Sequence, residues 1–242
     1  MERFIKKVVA KQNDNFSNPG VSVAFFGDSV TQGCFEIYKK SENAIETVYD
    51  KRSAYHKYFA DIFTVLCPNV PVNIINAGIS GDNAPHAAKR LERDVLIHKP
   101  DLVVVCFGLN DSAQGLDGVK KYQDALSTIF DLIKESESEV IFMTPNMMCT
   151  TVSCHLTDDM SKNIASDAVK CQNDGIFDAY IDAAKEVCAK KEVTVCDCYA
   201  KWKRLASLGI NVTELLSNKI NHPTREMNWL FAYSLVETIL GL

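Results

Sequence analysis

"VSVAFFGDSVTQG", residues 21–33, decides the fold. Six β-prone, mostly apolar residues, Val21 to Phe26, run without polar alternation into Gly27, Asp28 and Ser29. A strand apolar on both faces reads as buried on both faces, the habit of a parallel sheet. Gly, Asp and Ser form turns, so the stretch is a strand closed by a turn. It also presents a serine hydroxyl at the carboxyl end of that strand, where open α/β sheets bind their ligands.

Similar runs recur along the chain: "VPVNIIN" (70–76), "DLVVVCF" (101–107), "SEVIFMT" (138–144) and "EVTVCD" (192–197). Helical patterns lie between them. Tyr55, Tyr58, Phe59, Ile62, Phe63 and Leu66 form an apolar stripe. Residues 84–97, 117–136, 161–190 and 224–240 also read as helix, with a break expected near Asp174 and Gly175. Strands alternating with helices predict βαβ units and right-handed crossovers. The expected fold is an α/β three-layer sandwich with a five-stranded parallel sheet, as one domain over 1–242. Residues 1–20 read as an N-terminal helix or arm. Residues 34–53, "CFEIYKKSENAIETVYDKRS", read as a long polar insertion near the site. Within it Phe35, Tyr38 and Tyr49, and later Met147 and Met148, read equally as a pocket rim or as packing.

Composition bounds the function. With 47% hydrophobic and 24% charged residues the chain is ordinary for a soluble globular protein. A net charge of -5 leaves no basic footprint for nucleic acid. No run approaches the roughly 20 apolar residues of a membrane span. The first residues lack the apolar core of a secretory signal, so the chain reads as cytoplasmic. The nine cysteines match no zinc spacing and read as free thiols, with no metal or cofactor expected.

The strand ends together carry a kit for acyl transfer. Ser29 lies beyond the first, "NAGISGDNA" with Gly78 and Gly81 beyond the second, and "GLNDS" with Asn110 beyond the third; His222 precedes the last helix. A serine needs a base to take its proton, and histidine suits the task. The oxyanion that forms needs preorganised donors: the N–H groups of Ser29 and Gly81 and the amide of Asn110 are candidates. Gly78 reads as a turn residue only, and Asp28 and Asp111 as acceptors that brace loops. His56 reads as a surface or interhelix residue. A flavodoxin-like module binding nucleotide or flavin is the competing class, but "GDSVTQG" is not a phosphate-binding glycine loop.

"GDSVTQG", "NAGISGD", "GLND" and "HP", in this order, resemble the four sequence blocks of the GDSL lipase/esterase family, the SGNH hydrolases. The resemblance implies a flavodoxin-like α/β/α fold and hydrolysis of a small-molecule carboxylic ester, with short acyl groups favoured. Carbohydrate deacetylation, thioester cleavage and a member that has lost hydrolysis are the variants left open. By resemblance Ser29 is the nucleophile, His222 the base, and Gly81 and Asn110 oxyanion donors, with no cofactor. One position departs from the pattern. The family's aspartate three residues before the histidine is here Lys219. Asn218 or a backbone group is the candidate orienter of the ring, with the acids Glu226 and Asp197 behind them.

Overall fold

The computed structural model describes residues 1–41 and 44–242. In chain order its elements are α1 (Glu2–Asn13), β1 (Val21–Gly27), α2 (Ser29–Gln32), β2 (Cys34–Ser41), β3 (Ala44–Tyr49), α3 (Tyr55–Leu66), β4 (Val72–Gly78), α4 (Ala84–Ala87) and α5 (Leu91–Asp94). Then come β5 (Leu102–Cys106), α6 (Val119–Glu135), β6 (Glu139–Met143), α7 (Asp159–Asn173), α8 (Ile176–Lys190), β7 (Thr194–Cys196), α9 (Cys198–Ser207) and α10 (Asn228–Leu240). The central sheet has five parallel strands in the order β4-β1-β5-β6-β7. The chain reverses its direction of travel across the sheet between β1 and β5, and a crevice opens at such a switch point.

Phe25 and Phe26 show why the sheet is covered twice. Consecutive strand residues point to opposite faces. Phe25 packs edge-on against Tyr55 and Phe59 of α3. Phe26 packs on Phe107 and under the Arg90 guanidinium. The α3 layer is extended by α1 through Phe4 and Phe63, and by α10 through Phe231 and Tyr55. On the other side α6 packs on β6 through Phe130 and Phe142, and on α8 through Tyr122 and Tyr180.

Several expected elements differ in detail. The second strand begins at Val72 rather than residue 70, because Pro71 has no N–H for the ladder and only its carbonyl pairs, with Val21. The helix expected over 84–97 is broken into α4, α5 and a 3-10 turn at Leu96–His98. The break falls where Arg90 turns inward to donate to the carbonyls of Ala77 (2.8 Å) and Gly27 (3.1 Å) and to Asp82 (2.6 Å). The last helix starts at Asn228, and α9 was not anticipated. The predicted break at Asp174 and Gly175 separates α7 from α8, with Gly175 at φ +78. The expected insertion at 34–53 contains an antiparallel hairpin, β2 with β3; residues 42 and 43 lie outside the described residues.

Candidate active site

Ser29 opens α2 immediately beyond β1. Asp28 caps the turn, its carboxylate accepting from Val30 N at 2.9 Å, and Gly33 ends it in the left-handed region. Gly78 seats the turn. A Cβ there would fall 2.2 Å from Gln32 N, so only glycine lets β4 and α2 approach this closely. Gly78 is therefore a packing glycine that fixes the height of Ser29, a role beyond the turn residue expected from sequence.

His222 lies against this serine. Its Nε2 is 2.9 Å from Ser29 Oγ, and its Nδ1 is 2.9 Å from the carbonyl oxygen of Phe35. The carbonyl can only accept, so Nδ1 carries the proton and Nε2 is left free to accept from the hydroxyl. The ring is 2% exposed, and burial pushes its pKa down to about 4, with the Phe35 carbonyl and the Glu36 charge opposing that shift. The resting imidazole is thus neutral.

Asn218 is not what orients the ring. Its Oδ1 accepts from the backbone N–H groups of Ile220, Asn221 and His222 at 2.9–3.0 Å, and its amide donates to Asn221. It folds the loop that delivers His222, and the backbone of Phe35 turns the ring. Lys219 sits at φ +58 and pairs with Glu214. Asp197 caps α9 and pairs with Lys185, and Glu226 is exposed, so neither serves the ring. A backbone orienter is one of the alternatives the sequence leaves open, but every residue carries a carbonyl, and no side-chain pattern marks the one that is used.

The loop after β4 is tied to the serine turn and to Asn110. Ile79 N donates to Gly27 O (3.1 Å) and Ser80 N to Gln32 Oε1 (2.7 Å). The Asn110 amide donates to Asp82 O at 2.8 Å, which leaves its second N–H available. Asn110 makes no side-chain cap to the turn beyond it. Gly81 is at φ +78, and its N–H makes no hydrogen bond among the described residues.

Each candidate donor adjoins a buried aspartate in sequence: Ser29 with Asp28, Gly81 with Asp82, Asn110 with Asp111. Asp82 is paired with Arg90 and with His86. Among the described residues Asp28 and Asp111 have no such partner, and burial together with nearby carboxylates raises both to about 7. Their role as braces is visible: Asp28 accepts from Val30, and Asp111 from Ala84 at 2.9 Å.

Beside Asn110 and Asn221 opens a cavity of about 460 Å3. Leu109, Met148, Ile164 and Ala168 give it apolar walls, and Asp167 and Lys170 add charge. Of the aromatic and methionine residues expected at a rim, Phe35 and Met147 are buried, Tyr38 and Tyr49 are half exposed, and Met148 lines this cavity. Of the two readings for His56, surface or interhelix, burial favours the second: the ring is buried, accepts from Asn76, and is pushed down to about 4 by desolvation. Among the described residues no cluster of His, Cys, Asp or Glu is disposed to hold a metal ion, and no helix is long and apolar enough to cross a membrane.

The chain is 26% identical over 135 residues to an acetylxylan esterase of Geobacillus stearothermophilus, covering 52% of this chain and 60% of that protein. It is 38% identical over 72 residues to an arylesterase of Vibrio mimicus, covering 30% of this chain and 36% of the relative. The aligned parts thus span less than two thirds of these curated relatives. A crystal structure of an acetylxylan esterase from Geobacillus stearothermophilus superposes with a TM-score of 0.65 at 19% identity, covering 91% and 94% of the two chains. A two-domain esterase active on acetylated mannans superposes with a TM-score of 0.68 at 16% identity, covering 98% of this chain and 52% of that one. These two likenesses concern the fold. The sequence profile of the GDSL-like Lipase/Acylhydrolase family matches residues 25–230, a span that takes in Ser29, Gly81, Asn110 and His222 alike, and the chain belongs to that family.

Proposed function

We propose that the chain hydrolyses carboxylic esters through an acyl-enzyme on Ser29. The single observation that carries the reading is the hydrogen bond of 2.9 Å between Ser29 Oγ and a buried, neutral His222. Nε2 takes the hydroxyl proton as Oγ bonds to the ester carbon. The charge that develops on the carbonyl oxygen is met by the N–H groups of Ser29 and Gly81 and the free N–H of Asn110. As the intermediate collapses, the ester C–O bond breaks and Nε2 returns its proton to the departing alkoxide. Water then attacks the acyl carbon with its proton going to Nε2, and the acid leaves as that proton returns to Oγ.

A short acyl group on a carbohydrate or aryl alcohol suits the site. The cavity beside Asn110 is far larger than an acetyl group needs and takes the alcohol side, with polar groups at its edge for a hydroxylated ligand. The names of the relatives support the same choice. A fluorophosphonate is expected to label Ser29 and to leave Ser29→Ala unlabelled. The same variant is expected to lose p-nitrophenyl acetate turnover by roughly 10^4-fold or more. A folded wild-type chain that resists the probe overturns the reading and leaves a member of the family without hydrolysis.

A further inference from the structure

We propose that Arg225 is a positioning residue for His222: it clamps the β2–β3 hairpin to the segment carrying the histidine, and so holds the Phe35 carbonyl on Nδ1. The inference rests on the reading of Ser29 and His222 as a catalytic pair and goes beyond it.

Phe35 lies at the root of a hairpin whose outer half is exposed. A backbone bond from Asp50 N to Gly33 O (2.8 Å) closes the root but does not tie it to the His222 segment. Arg225, three residues after His222, does. Its Nη1 and Nη2 donate to the two carboxylate oxygens of Glu36 at 2.7 and 3.2 Å, and Nε donates to Asp50 at 2.9 Å. The guanidinium carbon stands 4.3 Å from the centroid of the Phe35 ring. One planar group thus touches both sides of the hairpin root and stacks on the residue whose carbonyl meets the imidazole. A lysine has neither the fork nor the face to do all three.

The clamp also supplies charge. Two carboxylates face one guanidinium, leaving a net negative charge near the ring, and the Glu36 charge favours protonated His222. Where the family pattern expects one aspartate, two neighbouring residues divide the work. The Phe35 carbonyl fixes the ring, and the Glu36 carboxylate favours the imidazolium that forms as Ser29 attacks.

The test compares the full-length chain with Arg225→Met, Arg225→Lys, Glu36→Gln and the double variant Glu36→Gln/Arg225→Met. The readouts are fluorophosphonate labelling rate, p-nitrophenyl acetate kinetics, thermal melting and the downfield imidazole N–H proton resonance. Arg225→Met is expected to lower kcat by about 10- to 100-fold with KM within about twofold, and to broaden or lose that resonance. Arg225→Lys falls between, and the double variant loses less than the product of the two single losses, because the two side chains share one contact. Should Arg225→Met fail to fold, Glu36→Gln reads the same coupling with the backbone intact. A wild-type chain that labels while both single variants match its rate and kcat overturns the clamp alone. Additive losses in the double variant overturn it too. A wild-type chain that does not label overturns the catalytic pair itself.

Discussion

Replacing Asn218 by alanine would strand three backbone N–H groups at once, those of Ile220, Asn221 and His222. Two of these residues are buried, and an unpaired buried donor costs on the order of 1–3 kcal/mol. Asn218→Ala is therefore expected to lower unfolding stability by about 3 kcal/mol in urea titration, a loss an exposed asparagine would not show. At His222 the physics is that of desolvation. In its proposed role as base the ring works only unprotonated, and burial holds its folded pKa at about 4. The kcat/KM of the free enzyme is expected to stay level as pH falls through 6.5 and to drop only as it passes about 4, which a pH–rate profile reads directly. A midpoint near 6.5 would mean that the ring is solvated.

Two glycines, one on β4 and one in the loop beyond it, separate packing from conformation. A methyl group on Gly78 collides with the backbone of α2, whereas one on Gly81 meets nothing within 4 Å and suffers only from φ +78. Gly81→Ala is expected to cost about 1 kcal/mol, and Gly78→Ala several times more, with both read by melting temperature. The wall that α7 gives the cavity is testable in the same way. Ala168→Trp is expected to depress turnover of esters of bulky alcohols at least tenfold while sparing ethyl acetate, and equal effects on both would place the alcohol elsewhere. At this scale the sequence was uneven. Val21–Phe26 and Leu102–Cys106 are strands that a run of apolar residues announces, because both faces are covered. The hairpin was invisible: "EIYKKS" faces water for most of its length and carries no apolar period. The helix expected over 84–97 failed at Arg90, a residue whose polar letter points outward and whose guanidinium goes in to bind Ala77 and Gly27.

Over the whole molecule, two pairs of buried groups pull stability in opposite directions. His56 and His222 are held near 4 when folded, while a free histidine titrates at about 6.5, so between these values the unfolded chain binds more protons and stability rises with pH. Asp28 and Asp111 are held near 7, while a free aspartate titrates at about 3.9, so across the same window the folded chain binds more and stability falls with pH. The slopes oppose, and urea stability is expected to be nearly flat from about pH 5.5 to 6, above the range where carboxylates held low by their partners, such as Glu36 and Asp94, take up protons on unfolding. Asp111→Asn removes one falling contribution, and its stability is then expected to rise by about 1.4 kcal/mol per pH unit there. An unchanged slope would mean that Asp111 is ionised throughout. The parallel α/β sheet was legible in the alternation of runs while its strand order was not, and the serine, glycine, asparagine and histidine blocks were legible because each sits where a strand or loop ends. What brings His222 to Ser29 was not legible, since it depends on backbone atoms of Phe35 and on a loop folded by Asn218. Chain order adds a last consequence. By Cys196 every strand of the central sheet has been synthesised, yet the imidazole arrives with residue 222 and α10 only after it. A nascent chain leaving the ribosome can assemble its sheet while the α3 face still lacks its α10 cover and Ser29 has no partner. A vectorially emerging chain would therefore sit in a sticky state, with Ser29 unpaired, until the segment from His222 through α10 docks.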